Sequence, residues 1–323
     1  MMRKNIPLMS DPTQLKESIK LFSKPIGYQD FVELTHGLYS HNSLLSMVND
    51  WNRFVDFCRS HHVNPLPASV TAIRLFLEHE SRQRKYASIR RYSLTIGLVH
   101  RLHSLPEPTN HRQIHFTLSA LRNMKKGDAA QATPFTENHL NKLFKCLAES
   151  DSIKDLRDLL IYSLMFECFL KRGQLRDLTL HQIDLLHDEC AQLMIGDNAY
   201  QLTPRTSLLL QKWLAVLGDG YQGALFCRID KHGNLGNESL NDSSIYRVFR
   251  RASDRLNLPE HLAFSGQSSR VGASQDRYKK GYNLRQIQQL GRWTSAVMPA
   301  QYVGKHALSE SEQLLFKKIK SWD

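Results

Sequence analysis

Three residues in the last third of the chain have types and spacings that could do chemistry. Arg270 is followed 23 residues later by Trp293, and Tyr302 comes 9 residues after that tryptophan. A guanidinium can bind two oxygens of an anion at once, and a tyrosine phenol can serve as a nucleophile. Each residue alone also has an ordinary interpretation: a surface ion pair for Arg270, core packing for Trp293 and a packed helical side chain for Tyr302.

The residues around these three carry a family resemblance. The strings are Ser-Gly-Gln-Ser-Ser-Arg-Val-Gly over 265–272 and Gly-Arg-Trp-Thr over 291–294. With Tyr302 they resemble the active-site half of the tyrosine recombinase (phage integrase) family, its Cre-like members most closely. Leu-Phe-Cys-Arg at 225–228, followed by Lys-x-Gly, resembles the family's loop before its closing helices. The resemblance extends over residues 39–323, and the motifs are specific in combination.

The resemblance implies a reaction and a role for each matching residue. In that family a tyrosine attacks a DNA phosphodiester and forms a covalent phosphotyrosine, which makes Tyr302 the expected nucleophile. Two arginines clamp the non-bridging phosphate oxygens as charge grows on them, and Arg270 matches one of the two. A hairpin lysine protonates the leaving oxygen, a His or Lys acts as general acid or base, and Trp293 matches the residue packed on the phosphate. No metal or other cofactor is implied.

Three positions of the family pattern are substituted in this chain. The first family arginine lies in Leu-Arg-x-x-Glu-Leu-x-x-Leu, and aligning the leucines places Lys171 at the arginine and Gln174 at the glutamate. Arg172 is one residue away and would point about 100° around a helix. The predicted hairpin over 191–203 is short and contains no lysine. Gln267 replaces the family's His, and an amide cannot titrate near neutral pH.

Two hypotheses about function follow from these substitutions. Losing one preorganised transition-state contact slows a reaction by about 10²–10³, and losing a general acid slows it by about 10²–10⁴. The first hypothesis is a site-specific DNA-binding protein with impaired or lost strand transfer, a pseudoenzyme with a regulatory or architectural role. The alternative is an active site-specific recombinase that forms a 3′-phosphotyrosine through Tyr302.

Ordinary interpretations remain open for the substituted positions themselves. Lys171 and Arg172 could only favour the C-terminal dipole of a buried helix. Gln267 could be a plain surface residue.

The charge of the chain favours a polyanionic partner. Lys and Arg number 43 against 31 Asp and Glu, and residues 1–133 are the more basic part, with 18 basic against 10 acidic residues. Such an excess indicates nucleic acid first and a membrane surface second. We therefore expect double-stranded DNA as the partner, and a helical scaffold that binds no nucleic acid is disfavoured.

The cysteines and the apolar segments exclude other classes. Cys58, Cys146, Cys168, Cys190 and Cys227 are odd in number and form no C-x-x-C motif, which disfavours disulfides and zinc and favours reduced thiols. The most apolar stretch, residues 159–170, is too short for a spanning helix, which needs about 20 residues. No signal peptide is recognised, so we expect no membrane association and a cytoplasmic, nucleoid-associated protein.

Helical periodicity and one linker predict the organisation of the chain. We predict an N-terminal arm over 1–27, a helical core-binding domain over 28–124, a small and polar linker over 125–134, and a catalytic-like domain over 135–323. A short helix ending near Phe22 and a loose arm are equally open for the first segment. The predicted fold class is mainly α with a small antiparallel sheet, and the resemblance implies a C-shaped clamp on DNA.

The predicted DNA contacts lie on two helices of the first domain. Small polar residues and arginines suit base edges and phosphates, and the resemblance places such helices in the major groove, although a charge run is usually a solvated face. The predicted contact residues are Ser43, Ser46, Asn49, Arg84, Lys85, Ser88, Arg90, Arg91 and Tyr92.

The end of the chain predicts a self-association element. Ser309 and Glu312 have the spacing of a capping box, after which Leu315, Ile319 and Trp322 fall on one helical face. A helix of about 13 residues is marginal alone in water and must bury that stripe. The resemblance implies docking into a neighbouring subunit on DNA, and packing in its own domain is the ordinary alternative.

Overall fold

The computed structural model describes residues 5–128, 130–147, 149–185 and 190–305. These residues form two compact units, one within residues 1–130 and one within residues 131–323. The division falls inside the segment predicted as a linker. The basic helices therefore lie in the first unit, and Arg270, Trp293 and Tyr302 lie in the second.

The first unit is helical throughout its described part. Its helices are α1 (Pro12–Phe22), α2 (Tyr28–Leu34), α3 (His41–Ser60), α4 (Val70–Ser81), α5 (Tyr86–Leu102) and α6 (Arg112–Met124). The apolar residues that recur at helical spacing, such as Trp51 and Phe54 on α3 and Ile73 and Leu77 on α4, are fully buried. Apolar spacing thus correctly predicted that residues 28–124 are helical.

The N-terminal segment packs into the first unit and is not a separate arm. Asp11 caps α1 by accepting a hydrogen bond from Gln14 N, and Pro12 occupies the first helical position. Phe22 is 1% exposed, and its carbonyl accepts the indole N–H of Trp51 at 3.1 Å. Of the two alternatives for this segment, the helix ending near Phe22 is present, and burial of Phe22 fixes it against α3, so a loose arm is wrong for residues 12–22.

Part of the predicted linker also belongs to this unit. The Asp128 carboxylate accepts a hydrogen bond from the Tyr86 backbone N–H at 2.6 Å. That N–H lies at the start of α5, where helices leave backbone donors without internal partners. The polar composition of 125–128 therefore serves a helix end.

The second unit combines helices with two small antiparallel sheets, and the predicted fold class is confirmed. The helices are α7 (Glu137–Leu147), α8 (Ile153–Glu167), α9 (Arg172–Arg176), α10 (Pro204–Leu217), α11 (Asp242–Arg255), α12 (Ser268–Lys279), α13 (Leu284–Leu290) and α14 (Val297–Tyr302). The strands are β1 (Ile183–Leu185), β2 (Ala191–Ile195), β3 (Asn198–Gln201), β4 (Cys227–Ile229) and β5 (Leu235–Ser239).

The sheets differ from the prediction in extent. The predicted hairpin is β2 and β3, in which Ile195 pairs with Asn198 across a two-residue turn, and β1 adds a third strand. A second hairpin, β4–β5, lies within residues 226–240, where no strand was predicted. Periodicity missed it because β4 is three residues long and its register shifts.

A close backbone contact explains one glycine of the Arg270 motif. A Cβ on Gly272 would lie 1.8 Å from the carbonyl oxygen of Phe135, and the Phe135 N–H donates to the Ser268 carbonyl at 2.9 Å. Only glycine permits α12 to lie this close to the segment that enters the second unit. The contact fixes the start of α12 and hence Arg270.

No helix in the described ranges is both long and apolar enough to cross a membrane. The apolar residues of α8 instead form the centre of the second unit's core.

Candidate active site

Arg270 lies on α12 with its guanidinium buried and held by backbone. The residue is 4% exposed, and its two Nη groups donate to the Phe169 carbonyl at 2.5 Å and the Gly291 carbonyl at 2.9 Å. Its Cζ lies 4.2 Å from the ring centroid of Trp293, a cation–π contact. The surface ion pair that was the ordinary alternative is excluded.

Trp293 and Tyr302 complete a stack with Arg270. The ring centroids of Trp293 and Tyr302 are 5.8 Å apart in an edge-to-face arrangement, and Trp293 meets Phe169 in the same way at 6.0 Å. Tyr302 ends α14 and is 6% exposed. The structure thus brings together the three residues that the spacing singled out.

Two glycines lie in close contact with side chains of the site. A Cβ on Gly291 would lie 1.7 Å from the Trp293 ring, so the indole packs directly against this residue. A Cβ on Gly266 would lie 2.2 Å from Cδ of Arg172. The Arg172 stem therefore covers the turn before Gln267.

Lys171 and Arg172 lie at the start of a helix, although the sequence predicted them near the end of one. α8 ends at Glu167, and Lys171 is the N-cap of the short α9, with Arg172 as its first residue. The C-terminal dipole interpretation is therefore wrong, because a cation at a helix N-terminus gains nothing from the dipole. The estimate of a 100° separation within one helix fails for the same reason.

Arg292 is a site residue that the sequence analysis missed. One of its Nη groups donates to the Cys168 carbonyl at 3.1 Å, the Phe169 carbonyl at 3.3 Å and the Gln174 side chain at 3.2 Å. The other Nη donates to the hydroxyl of Tyr200 on β3. The sequence feature that could have identified Arg292 is its basic side chain at the middle position of Gly-x-Trp, to which no role was assigned.

Two residues of the site have backbone conformations that side chains disfavour. Phe169 has φ 51° and Arg292 has φ 52°. Non-glycine residues in this left-handed region cost of order 1–3 kcal/mol each and cluster at functional sites. Both flank the guanidinium of Arg270.

The electrostatics of the site are those of an unneutralised cationic pocket. Within the part of the chain that the structure describes, no Asp or Glu forms an ion pair with Arg270, Arg292, Lys171 or Arg172. Burial lowers the pKa of Arg270 to about 10, with the charge of Arg292 acting in the same direction. Burial also lowers the pKa of Lys171, and the charges of Arg270 and Arg292 lower it further. Bringing an anion into the pocket would relieve this repulsion.

Proton transfer is the weak part of the site. Burial raises the pKa of the Tyr302 phenol, while the charge of Arg270 opposes that rise. Gln267, the exposed N-cap of α12, supplies no titrating group beside it. The β2–β3 hairpin contributes Tyr200, whose hydroxyl donates to the Leu290 carbonyl at 2.5 Å, and has no lysine.

The predicted DNA-contacting residues of the first unit vary in exposure. Asn49, Lys85 and Arg90 are exposed, and Arg84 pairs with Glu80 at 3.7 Å. The half-buried members are Ser43, Ser46, Arg84, Ser88 and Arg91. Ser43, Ser46 and Asn49 recur on one face of α3.

The structure gives Tyr92 and Arg91 roles within the first unit. Tyr92 is 2% exposed and packs in the core, so its prediction as a base-facing residue is wrong. Arg91 donates from Nε and Nη2 to the two carboxylate oxygens of Asp50, at 2.7 and 2.8 Å. Asp50 is 0% exposed and also accepts from Thr95. The pair joins α5 to α3 and leaves Arg91 Nη1 for other contacts.

Two other predictions concern metals and the chain end. In residues 5–305, apart from the few undescribed positions, no group of three or more His, Cys, Asp or Glu side chains is placed to hold a metal ion. The predicted helix with Leu315, Ile319 and Trp322 lies outside the described residues.

Comparison with known proteins establishes the family. The model of the Phage integrase family matches residues 134–308, more than half of the chain. The chain belongs to the phage integrase family, that is, to the tyrosine recombinases.

Two curated relatives match most of the chain at low identity. The recombinase Cre of Escherichia phage P1 is 23% identical over 285 residues, covering 80% of this chain and 82% of Cre. An integrase/recombinase XerD homologue of Selenomonas ruminantium is 25% identical over 279 residues, covering 81% of each.

Solved structures share the fold. The Tn1549 transposon integrase in complex with transposon right-end DNA matches with a TM-score of 0.61 at 13% identity, covering 92% of this chain and 99% of that chain. The XerH recombinase bound to a palindromic difH substrate matches with a TM-score of 0.61 at 12% identity, covering 99% of this chain and 91% of that chain. At these identities the likeness concerns the fold alone.

Proposed function

We propose that this protein binds duplex DNA site-specifically, holds a DNA phosphate at Arg270, and carries out strand transfer poorly or not at all. The observation that carries the proposal is the cationic pocket around Arg270, in which guanidinium groups are held by carbonyls and no described carboxylate neutralises them. Fixed donors with uncompensated charge are what a phosphate requires. The relatives named above as recombinases, and the shared fold of the Tn1549 transposon integrase in its complex with DNA, support the choice of DNA.

The first unit supplies the remaining contacts in this proposal. Lys85 and Arg90 are exposed at the start of α5, and Asn49 is exposed on α3. The Asp50–Arg91 pair holds these two helices side by side. We propose that phosphates are contacted by Lys85 and Arg90, and that base edges are read from the α3 face and by Arg91. The clamp around DNA that the resemblance implies stays a prediction.

In this proposal strand transfer is slow because the site lacks groups that transfer protons. Tyr302 must lose its proton to attack a phosphate, and burial makes that loss harder. The leaving oxygen must gain a proton, and neither Gln267 nor the β2–β3 hairpin offers one near neutral pH. A missing general acid alone slows such a step by about 10²–10⁴. A regulatory or architectural role on DNA fits these properties.

An active recombinase is the second candidate, and one observation favours it. Arg270, Trp293 and Tyr302 are stacked in contact, as a nucleophile and its phosphate clamp must be. If a cation of the pocket also donates a proton, strand cleavage through Tyr302 would proceed without the hairpin lysine.

Trapping on nicked suicide duplexes tests the proposal. Duplexes covering the DNA that flanks the protein's own gene are incubated with the wild-type chain and with Tyr302→Phe, and binding and covalent adduct are measured together. We expect tight, salt-dependent binding by both chains, with a log–log salt slope of about −0.9 per phosphate contacted, and little or no adduct. A slope near zero would remove DNA binding, whereas rapid adduct formation that Tyr302→Phe abolishes would establish the second candidate.

Self-association and location belong to the same proposal. We propose that the segment 309–323, through Leu315, Ile319 and Trp322, docks into a neighbouring copy on paired half-sites. Deleting it should remove cooperative binding and leave binding to one half-site intact.

A protein of this function is expected in the cytoplasm, associated with the nucleoid.

A further inference from the structure

Arg292 occupies the variable position of the Gly-x-Trp motif, to which the family resemblance assigns no role. Its guanidinium nevertheless contacts three separate elements of the site. It reaches the loop after α8 through the Cys168 and Phe169 carbonyls, α9 through Gln174, and β3 through Tyr200. Among the described residues, no other arginine beside Arg270 donates hydrogen bonds to so many groups.

The Phe169 carbonyl connects Arg292 to Arg270. The same oxygen accepts from Arg270 Nη1 at 2.5 Å and from Arg292 Nη2 at 3.3 Å. The Gly291 carbonyl, which adjoins Arg292 in the chain, accepts the other Nη of Arg270 at 2.9 Å. Of the two carbonyls that orient Arg270, one also accepts a hydrogen bond from Arg292 and the other belongs to the residue before Arg292.

The backbone of Arg292 indicates that its side chain is needed there. Its φ of 52° lies in the left-handed region that glycine adopts without cost. Such a conformation persists in another residue only where surrounding contacts determine it. The side-chain hydrogen bonds supply those contacts, while the Nε has no partner among the described residues and lies buried.

The charge of Arg292 also matters at this position. Lys171 stands at the family's arginine position, and a lysine cannot provide the planar fork that binds two phosphate oxygens. Arg292 supplies a second permanent guanidinium beside Arg270, from a different position in the chain.

We propose that Arg292 is a positioning residue that fixes the guanidinium of Arg270 through the Phe169 carbonyl and adds the second fixed positive charge of the phosphate pocket. The inference rests on the proposed phosphate-binding function and deepens it. In this proposal the guanidinium missing at position 171, where the chain has a lysine, is supplied by the arginine at position 292.

Arginine side-chain NMR of the nitrogen-labelled full-length chain tests the proposal with inorganic phosphate as the probe. The Arg270 signals are assigned by their loss in Arg270→Lys. A guanidinium held by two carbonyls rotates slowly, so its Nη protons give separate signals. The variants are Arg292→Gly, which suits the left-handed backbone and should fold, Arg292→Gln and Arg292→Lys. Arg285→Gln is the matched control, since Arg285 is an exposed arginine on the neighbouring α13.

We expect Arg285→Gln to behave like the wild type in both readouts. In Arg292→Gly and Arg292→Gln the Arg270 Nη signals should merge, and phosphate should shift them with about tenfold weaker affinity. Arg292→Lys should also merge the signals but retain part of the affinity, because it keeps the charge and loses the fork.

The outcomes separate the two proposals. Unchanged Arg270 signals and unchanged phosphate affinity in Arg292→Gly and Arg292→Gln would overturn the role of Arg292. If phosphate does not shift Arg270 in the wild type, the proposed phosphate site is wrong, while the effect of Arg292 on the Arg270 signals still decides the positioning role.

Discussion

Arg91 in the first unit and Arg270 in the second are held in opposite ways. Arg91 donates two hydrogen bonds to the buried carboxylate of Asp50, so its charge is neutralised where it is fixed. Arg270 donates to two carbonyls and stacks on Trp293, so it is fixed and keeps its full charge. The difference separates a half-buried arginine that joins two helices from a buried arginine that has no acidic partner among the described residues.

The same contrast extends to other polar groups. In the first unit His100 is fully buried and neutral: its Nδ1 donates to the Ile96 carbonyl, and its Nε2 accepts the Ala68 N–H. In the second unit, Lys171 and Arg292 add charge beside Arg270. In the first unit the buried imidazole of His100 is thus neutral and the buried carboxylate of Asp50 is paired, whereas the cations of the site have no acidic partner among the described residues.

The largest effect is expected from Arg91→Ala. This change removes the partner of the Asp50 carboxylate, which is 0% exposed, and a buried charge left without its partner costs about 3–5 kcal/mol. Urea unfolding of the full chain, with hydrogen exchange on α5 to identify the unit, measures the loss. Arg90→Ala, at an exposed neighbouring position, should stay within about 0.5 kcal/mol of the wild type. Equal stability of the two variants would show that Asp50 does not depend on Arg91.

A pH dependence of the first unit is the next largest effect. Burial lowers the pKa of His100 to about 4, below its ordinary 6.5. The unfolded chain therefore binds the proton first, so the stability due to neutral His100 is fully present above pH 6.5 and is lost as the pH falls toward 4. The total loss is about 3 kcal/mol.

Hydrogen exchange on α5 between pH 7 and 4 follows this loss. His100→Gln can still accept the Ala68 N–H and does not titrate, so its stability should vary less over the same range. A wild-type profile identical to that of His100→Gln would contradict the assignment of a neutral, buried imidazole.

The smallest expected effect concerns the cationic site. The double change Lys171→Arg with Gln267→His restores a forked cation and a titrating group, and we expect it to raise the rate of adduct formation on suicide duplexes by about 10². The same change in a Tyr302→Phe background is the control and should give no adduct. An unchanged rate would mean that these two substitutions do not limit the chemistry.

Parts of the fold and of the site could be read from local patterns. Apolar spacing predicted helices in the first domain because a helix buries one face at a fixed period, and the predicted hairpin over 191–203 is present as β2 and β3. The short β4–β5 hairpin and the packing of α1 could not be read, because three residues carry too little pattern and burial of Phe22 depends on distant partners.

The sequence by itself determined the family, the helical class and the spacing of Arg270, Trp293 and Tyr302, because these depend on residue types and their separation along the chain. Only the tertiary structure decided which side chains are buried or bound to other groups of the protein. Tyr92 is buried against residues remote in sequence, Arg91 is bound to Asp50 across two helices, and Arg292 reaches a carbonyl that lies 123 residues earlier in the chain. Such contacts depend on how the helices pack, which no local pattern records.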